Sequence, residues 1–272
     1  MMDLYQQLLH TIPFFLIAGP CVVEDNDTMN RIAEHLSLLG QQYHLNVVFK
    51  ASYKKANRTA ETSYRGPGLD EGLSALSRIK DRFGLPLLTD VHESVEVAAV
   101  AEVVDVIQIP AFLCRQTELI HAAAETGKIV NIKKGQFMAA EDMLPAIEKA
   151  TAVNNHRLIL TERGTTFGYH DLVVDFRGFG ILKSSHYPVV YDVTHSLQKP
   201  SLHRVSGGAP EYALMMASAA MATNMVDGLF IETHPQPMDA LSDSASMVPL
   251  TQINQIIETC MKIKAAVKQE YE

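Results

Sequence analysis

Eight short apolar runs divide the chain, and segments with helical spacing lie between them. The runs cover residues 14–20, 47–52, 86–91, 106–111, 129–133, 158–162, 189–194 and 228–232. Each run is continuous and bounded by turn-forming residues, as expected of parallel strands that are buried on both faces. The intervening segments, such as MNRIAEHLSLLGQQY, repeat their apolar residues about every 3.6 positions, which indicates helices. This alternation predicts an α/β fold, a (β/α)8 TIM barrel formed by residues 1–272 as a single domain.

A doubly wound open sheet is the alternative for a chain in which strands and helices alternate. Such a sheet usually has fewer strands and a glycine-rich phosphate-binding turn after its first strand. Here the first run continues into IAGPCVVED, which lacks that turn. The closed barrel is therefore the favoured prediction.

Composition limits where the protein works and what it binds. The 272 residues carry a formal net charge of -8, which argues against a nucleic-acid partner. No apolar run is long enough to span a bilayer, and the N-terminal segment lacks the basic stretch of a signal peptide. Cys21, Cys114 and Cys260 are too few and too scattered for a disulfide framework. We therefore expect a cytoplasmic protein without a membrane partner, in which Cys114 and Cys260 are structural.

Four residues of metal-ligand type follow the first, seventh and eighth runs. They are Cys21, His195, Glu232 and Asp243. A lone cysteine is most often a small buried apolar residue and a lone histidine a structural one, but barrel closure would bring these four together. One sulfur, one nitrogen and two oxygen ligands fit Fe²⁺, Zn²⁺, Mn²⁺ or Co²⁺ better than Mg²⁺ or Ca²⁺. The sequence therefore predicts a divalent metal site, with His234 as an outer partner or a spare ligand.

Positively charged residues cluster after the strands of this acidic protein. They are Lys50, Lys55, Arg58, Arg115, Lys133, Lys134 and Arg163. Any one of them would ordinarily be a solvated residue or a salt-bridge partner. Together, at the C-terminal ends of several strands, they indicate a clamp for phosphate and carboxylate groups. The cluster predicts more than one anionic group, which means two substrates or one bisphosphate.

Polar residues of the third to fifth strands and two long loops, over residues 50–70 and 198–210, complete the predicted mouth. Asp90 is expected to be ionised and to bind substrate hydroxyls, together with Gln108; His92 follows on the same segment, and Asn131 points inward from the fifth strand. Filling of the barrel interior is the alternative role for Gln108 and Asn131. The loop over residues 198–210 contains a Gly-Gly pair and prolines, which predicts a mobile lid.

Longer motifs carry a resemblance to a known family. They are KANRT, SYRGPGLDEGL, TDVHE, IQIPAFLCRQT, VNIKKGQF, RGTTFGYHDLVVDFR, YDVTHSLQKP and FIETHPQP. Together they resemble the 3-deoxy-D-manno-octulosonate 8-phosphate synthases over about residues 14 to 255. The resemblance implies a homotetrameric TIM barrel in the cytoplasm. It would condense phosphoenolpyruvate with D-arabinose 5-phosphate and water and release phosphate, as a step of lipopolysaccharide biosynthesis.

The resemblance also implies roles for individual residues. Cys21 stands where the metal-independent branch has asparagine, so the chain resembles the metal-dependent branch, with His195 as a ligand that also orients water. By similarity, phosphoenolpyruvate would be held by Lys50, Lys55, Lys133 and Arg163, with Gln108 and Arg115 nearby. The sugar phosphate would meet Asn57, Arg58 and Thr59, with its hydroxyls at Asp90. Thr59-Ala60 replaces the Ser-Ser that often follows this motif, and Arg204 is a weaker candidate.

Three other functions are compatible with these residues. The first is the related synthase that uses erythrose 4-phosphate, although its loop usually reads KPRT where this chain has KANRT. The second is a Schiff-base aldolase that uses Lys133 or Lys134. The third is a non-catalytic sugar-phosphate sensor, which would have no need of the metal ligands and the full set of cations.

Overall fold

Eight parallel strands form a closed barrel in the computed structural model, which describes residues 2–58, 62–199 and 207–271. The strands are β1 (Phe15–Gly19), β2 (Val47–Lys50), β3 (Leu87–Asp90), β4 (Val106–Ile109), β5 (Ile129–Lys133), β6 (Leu158–Glu162), β7 (Val189–Asp192) and β8 (Gly228–His234). Each pairs with the next, and β1 pairs with β8 from Phe15↔Gly228 to Gly19↔Glu232. The prediction of a (β/α)8 barrel is confirmed, and the open sheet is excluded by this closure.

Ten helices accompany the strands in the described part of the chain. They are α1 (Leu4–Leu9), α2 (Asn26–Tyr43), α3 (Leu69–Phe83), α4 (Val97–Val103), α5 (Thr117–Glu125), α6 (Leu144–Ala152), α7 (Arg177–Lys183), α8 (Val193–Ser196), α9 (Ala213–Ala222) and α10 (Ile253–Tyr271). An antiparallel hairpin of Thr165–Gly168 and Asp171–Val173 follows β6. None of these helices is long and apolar enough to cross a bilayer.

The barrel has an apolar interior that α1 closes from below. Side chains pointing inward from every strand form one cluster, and Tyr5 and Leu8 of α1 pack against it. A second, larger cluster fills the layer between the strands and the outer helices. With its N-terminal end closed, the barrel has its open mouth at the C-terminal ends of the strands, where enzymes of this fold place their active sites.

Two predicted segments differ from the structure. The run 189–194 ends as a strand at Asp192, and the next four residues turn into α8, so His195 lies on a helical turn rather than at a strand end. Asp192 caps this turn by accepting a hydrogen bond from the backbone N–H of His195 at 2.9 Å. In the predicted lid, Gln198–Lys199 pairs with Gly207–Gly208, while residues 200–206 lie outside the described residues.

Candidate active site

The inward-facing side chains change from apolar to polar towards the C-terminal end of each strand. Successive residues of a strand face opposite sides, so every second residue continues inward. Val48 and Phe230 face the interior, and the next residues of the same parity are Lys50 and Glu232. The same alternation leads from Leu88 to Asp90, from Val106 to Gln108, from Ile129 to Lys133, from Ile159 to Arg163 and from Val190 to Asp192. The alternation continues beyond the apolar part of each strand, and the residues that it turns inward there are charged or polar. These residues line the mouth of the barrel.

A cavity of about 410 Å³ opens at this mouth. Its lining is Lys50, Ser52, Lys55, Ala56, Asn57, Arg58, Asp90, His92, Gln108, Pro110, Ala111, Phe112, Leu113, Lys133, Gln136, Arg163, His195, Gln198, Glu232 and Asp243. Several of these side chains have a buried polar atom without a hydrogen-bond partner. They are Ser52, Asp90, His92, Gln136, Arg163 and Glu232. Buried polar atoms are rarely left unpaired in proteins, so their concentration here indicates a site for a polar ligand.

Three of the four predicted metal ligands lie together in one group, in which Cys21 and Glu232 are buried and Asp243 is partly buried. The ligand atoms of Cys21, Glu232 and Asp243 are all within 4.8 Å of one another. The Cys21 Sγ is 2.9 Å from the Ser242 Oγ and 3.4 Å from the Asp243 Oδ2. His195 is adjacent to this group, with its Nε2 3.6 Å from the Glu232 Oε1. Barrel closure has brought residues of three separate strand-to-helix connections to one point.

Asp192 determines how His195 faces the group. The His195 Nδ1 lies 2.8 Å from the Asp192 Oδ2, and Asp192 is fully buried at the end of β7. With Nδ1 held by a carboxylate, the Nε2 atom is left facing Glu232. Histidines that bind metals are usually oriented in this way by a carboxylate on the other ring nitrogen.

The group has the chemistry that a divalent transition metal requires. Burial raises the pKa of the Cys21 thiol, and the carboxylates of Asp243 and Glu232 raise it further, so a bound cation would be needed to favour the thiolate. Burial alone would raise the pKa of Glu232, but Lys50, His195 and Lys55 hold it well below its usual range. The Glu232 Oε2 is buried and unpartnered. Sulfur, imidazole and carboxylate donors at one point fit the predicted metal set.

His234 does not belong to this group. Its Nε2 lies 3.4 Å from the Glu24 Oε2, and its Nδ1 lies 2.7 Å from the backbone oxygen of Gln236. Both ring nitrogens therefore face other partners, and the spare-ligand role considered for His234 has no support in this geometry.

The central cations are buried, and acidic residues compensate two of them. Lys50 pairs with Glu232 and also donates to the backbone oxygen of Cys21 at 2.7 Å. Lys133 pairs with Asp192, and its Nζ lies 4.1 Å from the centre of the Phe230 ring. Burial lowers the pKa of Lys133, while Asp192 opposes that shift. Unpaired charges in such a site would be costly, which explains why each of these lysines has an acidic partner.

Arg163 and Lys55 keep more capacity to bind an anion. The Arg163 Nη2 donates to the Gln198 Oε1 at 3.3 Å, whereas its Nη1 is buried without a partner. Lys55 lies 3.9 Å from the Glu232 Oε1, beyond hydrogen-bond distance. Guanidinium groups bind phosphate and carboxylate through paired N–H groups, so the open edge of Arg163 is suited to such a ligand.

The residues predicted for the sugar phosphate lie on the opposite wall. Asn57 and Arg58 line the cavity, and the Arg58 Nη1 donates to the Asp243 Oδ1 at 2.8 Å. Thr59 and Arg204 lie outside the described residues. Asp90 is also on this wall; burial would raise its pKa, but His92, Lys55 and Lys50 lower it well below its usual range. An ionised Asp90 is suited to accept hydrogen bonds from hydroxyl groups.

Two predicted cations do not reach the cavity. Lys134 has the opposite parity to Lys133, so its Nζ points outward and donates to the Met138 backbone oxygen at 3.0 Å and the Thr165 Oγ1 at 2.9 Å. Arg115 is exposed between the turn after β4 and α5, and it is absent from the cavity lining. Within the described residues of one chain, neither side chain can take part in the predicted clamp.

Comparison with known proteins identifies the family. Residues 11–269 match the DAHP synthetase I family. The chain belongs to the DAHP synthetase I family. A relative from Trichlorobacter lovleyi is 47% identical over 254 residues, which is 93% of each chain. A relative from Syntrophotalea carbinolica is 48% identical over 94% of this chain and 92% of its own. Both are named 2-dehydro-3-deoxyphosphooctonate aldolase, as is a relative from Koribacter versatilis that is 48% identical.

In this member of the DAHP synthetase I family, sequence reasoning missed several residues of the site. Asp192 and Ser52 could have been found, because both have the inward parity of their strands. Gln136 and Ser242 lie on irregular turns, and Gln198 lies in a strand of only two residues, so no periodicity marks them in the sequence. Asn131 is buried below the cavity, where it donates a hydrogen bond to the Gln108 Oε1 at 2.9 Å and accepts one from the Thr161 Oγ1 at 2.6 Å. It therefore fills the barrel, whereas Gln108 lines the cavity.

Proposed function

We propose that this protein condenses phosphoenolpyruvate with D-arabinose 5-phosphate and water to give 3-deoxy-D-manno-octulosonate 8-phosphate and phosphate. The observation that carries the proposal is one cavity with cations on two walls, Lys133 and Arg163 on one and Arg58 on the other. Such a cavity suits two phosphorylated substrates at once. Support for the identity of these substrates comes from the name that relatives share over more than nine tenths of the chain. The protein is thus a transferase that forms a carbon–carbon bond.

Phosphoenolpyruvate is assigned to the wall of buried cations. Arg163 offers an open guanidinium edge for a phosphate or carboxylate, and Lys133 adds charge on the same wall. Lys55, on the loop after β2, would approach from the other side of the cavity. Gln108 and Gln136 line the same cavity and would contribute neutral polar contacts. Fixed cations in a buried site neutralise the substrate's charges, which allows a second anion to enter.

The sugar phosphate is assigned to the wall formed by the loop after β2. Asn57 and Arg58 would meet its phosphate, with Thr59 next in sequence, and Asp90 would accept hydrogen bonds from its hydroxyls. In the reaction, C3 of phosphoenolpyruvate attacks the aldehyde carbon of the sugar. Water adds at C2, and the resulting hemiketal phosphate loses phosphate by cleavage of its C–O bond. Residues of both walls act mainly by holding the reacting carbons together.

Cys21, His195, Glu232 and Asp243 are proposed to hold a divalent metal, such as Fe²⁺, Zn²⁺, Mn²⁺ or Co²⁺. The support is their donor chemistry and their spacing beside the cavity. When bound, the metal would supply a Lewis acid and a fixed positive charge beside the reacting groups. Asp192 would keep His195 oriented, and the buried Lys50 would hold Glu232 in place.

Assembly and location belong to the same proposal. Phe112, Phe137, Phe167 and Tyr169 are 56%, 56%, 75% and 94% exposed, and they lie on connections at the mouth of the barrel. Exposed aromatic side chains of this kind suit a contact with further copies of the chain, in agreement with a homotetramer. We also propose a cytoplasmic location, as a supplier of lipopolysaccharide biosynthesis. The mass of the particle in solution, measured by light scattering, tests the assembly.

Two rival activities are less well supported. The erythrose 4-phosphate synthase shares the family description, but the relatives quoted above carry the octonate name. A Schiff-base aldolase needs a neutral, accessible amine, whereas Lys133 is paired with Asp192 and Lys134 points away from the cavity.

Release of inorganic phosphate from phosphoenolpyruvate tests the proposed function. We expect rapid release with D-arabinose 5-phosphate and release at least about a hundredfold slower with erythrose 4-phosphate. The shorter sugar lacks one hydroxyl group, so a polar group of the site that binds this hydroxyl would be left unpaired. The control is phosphoenolpyruvate alone. Equal rates with the two sugars, or a covalent adduct trapped by borohydride on Lys133, would overturn the proposal.

Metal removal tests the cofactor. We expect a chelator to abolish turnover, and Mn²⁺, Fe²⁺ or Co²⁺ to restore it after the chelator is removed, because His195, Glu232 and Asp243 lose their common partner. Mock-treated protein without chelator is the control. Undiminished turnover by protein that elemental analysis shows to be metal-free would refute metal dependence.

A further inference from the structure

Asp90 and His92 form a pair on the cavity wall that leaves two atoms unsatisfied. The His92 Nε2 lies 3.0 Å from the Asp90 Oδ2. The other oxygen of Asp90 and the Nδ1 of His92 are both buried without a hydrogen-bond partner. Both residues line the cavity. The His92 Nδ1 faces Glu96, whose Oε2 lies 3.9 Å away. The free oxygen of Asp90 is therefore the atom of the pair that can bind a ligand, provided that the imidazole is held in place.

Glu96 lies behind this pair and connects several groups. Its Oε2 accepts hydrogen bonds from the backbone N–H of His92 at 3.2 Å, the backbone N–H of Glu93 at 3.3 Å and the Tyr53 hydroxyl at 2.7 Å. Its Oε1 accepts from the Lys54 Nζ at 3.2 Å. Glu96 does not line the cavity, so it has no direct contact with a ligand there. Its bonds fix the turn that carries His92.

Tyr53 anchors Glu96 from the neighbouring connection. Its side chain is fully buried, and its ring packs edge-on against His92 with 5.8 Å between ring centres. Tyr53 follows β2 on the segment that continues to Asn57 and Arg58. The bond between Tyr53 and Glu96 therefore ties the wall assigned to the sugar phosphate to the turn after β3.

The pKa values of Tyr53 and Glu96 favour a hydrogen bond in which the Tyr53 hydroxyl donates to an ionised Glu96. Burial and the hydrogen bond to Glu96 raise the pKa of Tyr53, so the hydroxyl keeps its proton and donates. Burial acts to raise the pKa of Glu96, but the bonds from Tyr53, His92 and Lys54 outweigh it and lower the pKa. Glu96 is thus an ionised acceptor, and hydrogen bonds to charged groups are the strong ones.

We propose that Glu96 and Tyr53 are positioning residues for the sugar substrate. They hold His92 so that its Nε2–H donates to one oxygen of Asp90, and the second oxygen of Asp90 remains free for a sugar hydroxyl. Neither residue touches the substrate, and each acts through His92. The identity of the ligand rests on the proposed function, whereas the coupling between Tyr53, Glu96 and His92 does not.

Steady-state kinetics of Tyr53→Phe tests the effect on the substrate. This variant removes only the hydroxyl, and the matched control is Tyr43→Phe, which removes a hydroxyl that donates to Glu258 at 2.5 Å between α2 and α10. We expect the KM for D-arabinose 5-phosphate to rise about tenfold in Tyr53→Phe, with the KM for phosphoenolpyruvate within about twofold of wild type, because a lost outer hydrogen bond misplaces the inner group. Glu96→Gln, which keeps an acceptor, should be less affected than Glu96→Ala. An unchanged sugar KM, or an equal rise in Tyr43→Phe, overturns the proposal.

Nitrogen-15 NMR of the histidine side chains tests the coupling without any substrate. His92 is assigned as the signal that is lost in His92→Asn. In the wild type we expect one tautomer with the proton on Nε2, and in Tyr53→Phe a shifted or exchange-broadened His92 signal, with no change in Tyr43→Phe. A His92 signal that is identical in all three proteins overturns the positioning role. If the coupling is seen in a protein that does not form the octulosonate product, the proposed function fails and the positioning role stands.

Discussion

Lys50, Lys133 and Glu232 are charged side chains that are almost completely buried, and each has an ionic partner. Burying a charge is costly unless it is paired, so these residues are stable only as part of a network. The network leaves some atoms unsatisfied, such as the Glu232 Oε2 and the Arg163 Nη1. These atoms are where a metal or a substrate would add the missing partner.

Cys21 is the residue on which the metal proposal depends most. Cys21→Asn replaces the one sulfur among the four proposed ligands by a neutral amide, so we expect metal affinity to fall at least about tenfold, as even the loss of an outer partner does. Competition with a chromophoric chelator measures this affinity. The variant should keep part of its turnover, because asparagine occupies the corresponding position in the metal-independent branch of the synthases, whereas this chain resembles the metal-dependent branch.

Cys260→Ser is the matched control for Cys21→Asn, since Cys260 is also a fully buried thiol but lies on α10. We expect its metal affinity to equal that of the wild type. If Cys21→Asn binds metal as tightly as the wild type, Cys21 is not a ligand.

At the scale of elements, several residues of the site lie on the connections that follow the strands, and the helices fix where these connections end. The connection that carries Cys21 ends at the N-terminus of α2, where the Asp25 side chain accepts hydrogen bonds from the backbone N–H groups of Asp27 at 2.9 Å and Thr28 at 3.0 Å. The Thr28 hydroxyl also donates to Asp25, at 2.7 Å. This cap fixes where the helix begins, and so limits the length of the connection.

Loss of this cap should destabilise the protein in a pH-dependent way. We expect Asp25→Ala to lower the free energy of unfolding by about 1 kcal/mol at pH 7, as is typical for an N-cap. The bonds from Thr28 lower the pKa of Asp25 in the folded state. Its contribution is therefore full above the unfolded pKa of about 3.9 and is lost as the pH falls through the lower folded value.

Urea unfolding of the wild type and the variants, at pH 7 and in steps below pH 4, measures the effect of Asp25. Asp25→Asn is the control, because its amide oxygen still accepts from Thr28 and does not titrate in this range. A difference between wild type and Asp25→Ala that stays constant down to the lowest pH would show that the carboxylate is not the source of the stability.

For the whole molecule, the sequence predicted the barrel because its strands are buried on both faces. Such strands are continuous apolar runs, and all eight runs overlap the observed strands. The circular order then follows from the right-handed connections of strand–helix repeats. Closure brings Cys21 near Glu232, and that was also predictable, since β1 and β8 are the first and last strands.

The remaining parts of the site depend on interactions that leave no periodic signal. His195 lies on a turn because Asp192 caps it. Lys134 is an exception, because strand alternation alone predicts that it faces away from Lys133 and out of the cavity. Arg115 lies on an irregular connection whose direction is not set by strand alternation. Gln136 and Ser242 reach the site through turns of the backbone that depend on the whole barrel. The sequence therefore predicts which residues at the ends of the strands face the cavity, but it does not predict the directions of residues on the connections.

The proposal that the mouth of the barrel joins two phosphorylated substrates is tested most directly by one isotope measurement. Protein loaded with metal is incubated with phosphoenolpyruvate and D-arabinose 5-phosphate in ¹⁸O-labelled water, and both products are weighed by mass spectrometry. We expect an eight-carbon keto-acid phosphate that carries the label on C2, and inorganic phosphate without the label, because water attacks C2 and the bond between C2 and the phosphate oxygen breaks. Labelled phosphate, or phosphate release without the eight-carbon product, would contradict the proposal.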